Sequence, residues 1–208
     1  VTTPKKKNPV KLLQNMIHPL FLLAVMLFSG ASLSWAQDSS EPLPQVAIQT
    51  SEGNMVLTLR PDVAPETVSN FLSYVDSGFY DGMVFHRVIP GFMIQGGGFD
   101  QSLSRKQAQD PIRNEASQTL RNLRGTIAMA RTNDPHSATS QFFINVADNA
   151  FLNAGVQGPG YAVFGRVTEG LGVADAIASK PTGRVGGMAD VPMEPIIIER
   201  IERLTPAE

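Results

Sequence analysis

The 208-residue chain has no cysteine, and that one absence removes disulfides, thiol nucleophiles, thiolate metal ligands and redox centres together. Histidine is nearly as scarce. His18, His86 and His136 are far apart, and no paired acidic motif accompanies them, which argues against a metal site. Basic runs are missing beyond residue 36. Four of the 17 Lys and Arg, and none of the 19 Asp and Glu, lie in the first 36 residues, so the remainder carries a formal charge of −6 (13 minus 19). A mildly acidic domain of that kind is a poor partner for nucleic acid, whose binding needs clustered cations. Internal repeats and a second domain are also lacking, and no apolar run reaches the roughly 20 residues of a membrane span.

What the first 36 residues do have is the order of a secretory signal. Lys5, Lys6, Lys7 and Lys11 are basic, Leu20 to Phe28 are unbroken apolar residues, and Ser34-Trp35-Ala36 offers small residues at a cleavage point. No twin Arg precedes the apolar segment and no Cys follows it, which points to general secretion without a lipid anchor. Residues 1–36 are read as a signal peptide, 37–44 as a polar linker and 45–206 as one domain. After cleavage no stable membrane association is expected. The 172 residues left are enough for a core that needs no disulfide.

Beyond the linker, 45–50 and 55–59 read as two strands joined by a tight turn, Ser51-Glu-Gly-Asn54. Pro65 opens a helix in which Val68, Phe71, Leu72 and Val75 form one apolar stripe, and Gly78 is placed to end it. Further strands are predicted over 83–89, 92–95, 125–130, 141–145, 161–167 and 195–204, with a second helix over 171–179. Two non-periodic stretches remain, near 97–124 and 146–160. Eight strands and two helices predict a mainly β chain, a closed antiparallel barrel capped by two α-helices.

The densest chemistry lies in Phe85-His-Arg-Val-Ile-Pro-Gly-Phe-Met-Ile-Gln-Gly-Gly97. It gathers one permanent cation, one amide and several apolar side chains around a Pro-Gly turn. Such a set suits gripping an uncharged apolar group and donating hydrogen bonds to it. A second cluster, Gly125-Thr-Ile-Ala-Met-Ala-Arg-Thr132, leads to Ser140-Gln-Phe-Phe-Ile144, and Phe151-Leu152 and Tyr161-Ala-Val-Phe-Gly165 follow.

From Val46 to Leu204 these motifs resemble the cyclophilins, the peptidyl-prolyl cis-trans isomerases, and most of all their periplasmic branch in Gram-negative bacteria. The resemblance implies isomerisation of X–Pro bonds in exported or folding polypeptides, in the periplasm and without a cofactor; a monomer is the default expectation for a domain with no obvious exposed apolar patch. It assigns Arg87 as the catalytic donor to the prolyl nitrogen. Phe92, Met93, Phe143 and Leu152 would wall the proline pocket, with Tyr161 at its rim. Gln95 would hydrogen-bond the substrate backbone, Ala130 and Arg131 would lie along the peptide groove, and Gln141 beside a neighbouring pocket. Phe151 stands where cyclosporin-sensitive members have Trp, so the missing indole N–H predicts weak cyclosporin binding. Tyr161 stands where eukaryotic members commonly have His.

Duller readings compete at each position. Neighbours on a strand face opposite ways, so Phe142 is expected in the core if Phe143 is in the pocket, and His86 should turn away from Arg87 as a structural residue. Gly96-Gly97-Gly98 lacks the Gly-Lys-Ser/Thr of a phosphate loop. Arg121, Arg124 and Arg131 read as a solvated face, and His136-Ser137 lacks a third triad member. The rival function is a proline-peptide binding module or holdase whose isomerase activity is incidental.

Overall fold

The computed structural model describes residues 42–205, so the predicted signal peptide and the first residues of the predicted linker lie outside the described residues. Ten strands, two α-helices and one 3-10 turn occur among these residues. Eight strands close into an antiparallel barrel in the order β1 (Gln45–Thr50), β10 (Ile197–Leu204), β3 (Met83–Ile89), β4 (Met93–Asp100), β6 (Phe142–Asn145), β5 (Thr126–Met129), β7 (Val163–Glu169) and β2 (Gly53–Leu59). The closed eight-stranded barrel with two helices agrees with the sequence expectation. Its alternation is visible in β1 and β2, where Val46, Ile48, Met55, Leu57 and Leu59 are fully buried and their neighbours are not.

Helix α1 (Pro65–Asp76) buries the predicted stripe, with Phe71 ringed by Tyr80, Phe142 and Phe164 at centroid distances of 5.1–5.7 Å. Its N-terminus has no local side-chain cap. Instead the Glu115 carboxylate, far along the chain, accepts from the Glu66 and Thr67 amides (3.2 and 2.7 Å) and from the Thr67 hydroxyl. A distant anion thus satisfies donors that every helix start leaves open. At the other end Gly78 adopts φ +64 and donates to the Val75 carbonyl at 3.0 Å, the left-handed ending that favours glycine.

Three features depart from the sequence reading. β4 runs past the predicted end at residue 95 to Asp100, through Gly96, Gly97 and Gly98. Gly97 is the one that close packing requires: its φ is +79, and a Cβ there would lie 2.9 Å from the Ser140 carbonyl oxygen, which is backbone. Secondly, 182–192, unassigned by periodicity, forms a separate hairpin of β8 (Thr182–Val185) and β9 (Met188–Pro192). Thirdly, β3 does not alternate cleanly. Phe85 opposes Gly96 and Arg87 opposes Gln95, so two steps on β3 meet one on β4. The extra residue, His86, marks a β-bulge.

Helix α2 (Leu171–Ala178) buries Ala174, Ile177 and Ala178. The remaining long loop is held by point contacts. Tyr74 Oη accepts from the Gln109 amide at 2.8 Å, and Lys106 Nζ donates to the Phe79 carbonyl at 2.6 Å.

Candidate active site

The bulge decides where Arg87 goes. Phe85 and Val88 both lie fully buried in the barrel core, which leaves His86 and Arg87 between them to leave that core in succession. Arg87 enters a slot of about 110 Å³ whose other lining residues are Phe92, Met93, Gln95, Ala130, Arg131, Phe143, Leu152 and Tyr161. His86 lines a different cavity and packs tilted against Phe99, with ring centroids 4.6 Å apart. It does turn away from Arg87, but through a bulge and not through the simple alternation expected of a strand.

The slot rests on a second apolar cluster, apart from the main core. Met93, Ala128, Phe143 and Val163 form its buried floor, and Ile89, Phe92, Leu152 and Tyr161 pack onto it. Strand alternation separates the two phenylalanines as expected: Phe142 joins the main core and Phe143 joins the floor. Phe143 meets Tyr161 edge to face at 5.7 Å. This geometry is favourable between aromatic rings.

Nine of the eleven residues singled out from the sequence line this slot, and the other two adjoin it. Gln141 accepts a hydrogen bond from Gln95 Nε2 through its Oε1 at 3.0 Å, which fixes the direction in which the Gln95 amide points. Phe151, exposed at the rim on the 3-10 turn Ala150–Leu152, packs against Phe92 with centroids 5.5 Å apart. Arg131 is not a solvated cation. Its Nε and Nη2 donate to the Gly160 carbonyl (3.1 and 3.0 Å), Nη1 donates to the Thr132 carbonyl, and its guanidinium lies 4.4 Å from the Tyr161 ring centroid. Those bonds leave Arg87 as the slot's unspent guanidinium among the described residues. Its nearest carboxylate, Asp190 on β9, lies 3.6 Å from Nε and is itself substantially exposed.

Two sets of contributors were missed by sequence reasoning. One is Asp190, carried by the hairpin that periodicity did not reveal. The other is a buried amide network of Asn122, Asn145 and Asn149. Asn149 Nδ2 donates to the Phe92 carbonyl (2.9 Å) and to Asn145 Oδ1 (2.7 Å), and Asn145 Nδ2 donates to Asn122 Oδ1 (3.2 Å). Asn122 Nδ2 reaches the Leu152 carbonyl at 3.2 Å. Three slot-bearing segments are therefore tied together by groups that must be paired once buried. Asparagines recurring in the apolar stretch Phe142-Phe-Ile-Asn-Val-Ala-Asp-Asn149 were the available signal.

Chemically, the slot offers an apolar floor, aromatic walls, one oriented amide and two guanidinium groups, of which Arg131 is tied to carbonyls and Arg87 is not. Its lining includes no carboxylate, histidine or hydroxyl nucleophile apart from the Tyr161 phenol. His136 is occupied elsewhere, with Nδ1 accepting from the Asn114 amide at 3.1 Å. Among the described residues no group of three or more His, Cys, Asp or Glu could hold a metal.

Comparison with known proteins points the same way. Residues 45–203 match the model of the family described as cyclophilin type peptidyl-prolyl cis-trans isomerase. The chain is 56% identical over 178 residues to peptidyl-prolyl cis-trans isomerase A of Dickeya dadantii, covering 86% of this chain and 92% of that protein. A solved structure of a Cryptosporidium parvum cyclophilin type peptidyl-prolyl cis-trans isomerase superposes with a TM-score of 0.70 at 27% identity, over 79% of this chain and 99% of that one. The same protein solved in the presence of the dipeptide Ala-Pro gives a TM-score of 0.68 at 28% identity, over 77% and 99% of the two chains. A barrel of this strand order, a slot of this composition and a match over most of the chain lead to one assignment: the chain belongs to the cyclophilin-type peptidyl-prolyl cis-trans isomerase family.

Proposed function

We propose that Arg87 accelerates rotation about X–Pro bonds by donating to the prolyl nitrogen as the imide twists. The C–N barrier of roughly 18–20 kcal/mol comes from resonance. In the planar ground state the nitrogen lone pair is delocalised and accepts poorly. At the twisted transition state the nitrogen is pyramidal and its lone pair is available. An N–H aimed there binds the transition state better than either ground state, which is what lowers a barrier. A guanidinium suits this role because it stays charged and holds its donors in a rigid plane. No bond to the protein forms, and the proton stays on Arg87.

The proline ring sits over Met93 and Phe143 between Phe92, Leu152 and Tyr161, where burial grips it without charge. Gln95, oriented by Gln141, holds a carbonyl of the substrate backbone while the other side turns. Ala130 and Arg131 border the groove along which the peptide lies. The clients are proline-containing polypeptides exported to the periplasm, met by a monomer that needs no cofactor.

One observation carries this reading: Arg87 shares a single cavity with the apolar walls, while Arg131, the slot's other cation, is committed to carbonyls. A protease-coupled assay on a short Pro-containing peptide tests it. Arg87→Ala is expected to lower kcat/KM at least tenfold, or about 1.4 kcal/mol, with the fold intact by circular dichroism. Unchanged turnover would overturn the role given to Arg87, whereas negligible turnover by the unaltered protein would favour a proline-peptide binding module.

A further inference from the structure

We infer that a second apolar cavity, across the β3 ridge from Arg87, takes an apolar side chain of the same client polypeptide a few residues from its X–Pro bond. The inference rests on the isomerase reading of the slot and adds a recognition subsite to it.

The cavity has a volume of about 190 Å³, larger than the proline slot, and lies between β3, the loop after β4 and the β8–β9 hairpin. Its walls include His86, Leu103, Val185, Val191, Met193 and Pro195, and no Asp, Glu, Lys or Arg lines it. Two of the exposed large hydrophobic residues stand at its edge, Val185 at 45% and Met193 at 73% of full exposure. Leu103 is presented to it in the left-handed region, φ +60. That conformation is uncommon for a branched residue and needs local support. Asp100 supplies it, since its carboxylate accepts from the Ser102 and Ser104 amides at 2.9 Å each.

His86 adds a polar atom to these walls. It is 94% buried, and its Nδ1 is the buried side-chain polar atom without a hydrogen-bond partner among the described residues. The cavity therefore suits an aliphatic or aromatic group and rejects a charged one, because an ion there would lose water without gaining a counter-ion.

The client chain itself is the occupant because the two cavities adjoin along the chain, though they have no lining residue in common. His86 lines one and Arg87 the other, and successive Cα atoms lie about 3.8 Å apart. Asp190, which faces Arg87, belongs to the same strand as Val191. An extended substrate advances about 3.3 Å per residue, so two to four residues beyond the proline slot reach the second cavity.

The test compares a tetrapeptide containing one Ala-Pro bond with octapeptides that carry Leu at each position two to four residues from that bond, on either side. In the unaltered protein, Leu at one of these positions is expected to raise kcat/KM about tenfold over its Ala counterpart, through KM. In Met193→Glu and Val185→Glu, both exposed and so compatible with folding, that ratio is expected to fall towards one. A Glu-for-Leu peptide should show no gain. No Leu effect at any position, or an effect that survives both variants, would overturn the subsite while leaving the isomerase reading in place. Absence of turnover on the tetrapeptide would overturn the isomerase reading itself. Sedimentation that shows a dimer dissociated by Val185→Glu would assign the cavity to a second copy of the chain and overturn the proposal.

Discussion

Arg87 Nε lies 3.6 Å from the Asp190 carboxylate, with the two side chains 43% and 40% exposed. An ion pair that open, beyond hydrogen-bond distance, is worth roughly 0–1 kcal/mol. It orients the guanidinium only loosely, and in the proposed mechanism the Nη donors serve the substrate. Asp190→Asn is therefore expected to change kcat/KM by less than about threefold, whereas Arg87→Lys should lose nearly as much as Arg87→Ala. A lysine keeps the charge but not the planar fork. Steady-state kinetics of the three variants, each checked by circular dichroism, decide the point; equal losses in all three would make the pair itself the catalytic unit.

The Asn122–Asn145–Asn149 network predicts a coupled loss of stability and affinity. Asn149→Ala removes the donor to the Phe92 carbonyl and leaves Asn145 Oδ1 unpaired in a buried site. The expected cost is about 1–3 kcal/mol, read as a shifted urea midpoint. A raised KM should accompany it, because Phe92 walls the slot. A variant with wild-type stability would show that these bonds are replaceable.

His86 makes a prediction about acid. Burial first of all lowers its pKa from 6.5 to about 4. The folded state thus binds the proton less readily than the unfolded chain. Its contribution to stability is fully present above pH 6.5 and is lost as pH falls from 6.5 towards 4, where the folded residue finally protonates. The whole window amounts to roughly 3 kcal/mol. Denaturation of His86→Phe across this range is expected to show a shallower acid limb than the unaltered protein. An equally steep limb would place the acid sensitivity elsewhere.

Phe151 predicts the response to cyclosporin. It is exposed on the rim against Phe92 and brings no N–H donor. Phe151→Trp is expected to tighten inhibition about tenfold, the worth of one good hydrogen bond. An inhibition constant already in the nanomolar range for the unaltered protein would sink the argument.

Local pattern carried much of this molecule. The stripe Val68–Phe71–Leu72–Val75 specified α1 and its buried face, since a 3.6-residue period leaves little choice once apolar groups must leave water. Period-two alternation did the same for β1, β2 and the split between Phe142 and Phe143. The slot residues were legible because their short motifs resemble those of the cyclophilins; without that resemblance a lone strand arginine and a few aromatics would read as surface and core.

Other features required the closed barrel. The β8–β9 hairpin is short, glycine-containing and half exposed, so its own sequence has no apolar period to reveal it, and Asp190 was hidden with it. The extra residue at His86 shows only when β3 is laid against β4, because a bulge is a mismatch between two strands and no property of either alone. Likewise Glu115 caps a helix almost 50 residues away, and Gly97 leaves room for the Ser140 carbonyl. Composition and periodicity are short-range and so determined which segments fold and which side chains could do chemistry. Pairing across the barrel is long-range, and it alone decided that one arginine would stand open beside the apolar slot while the other was tied to carbonyls.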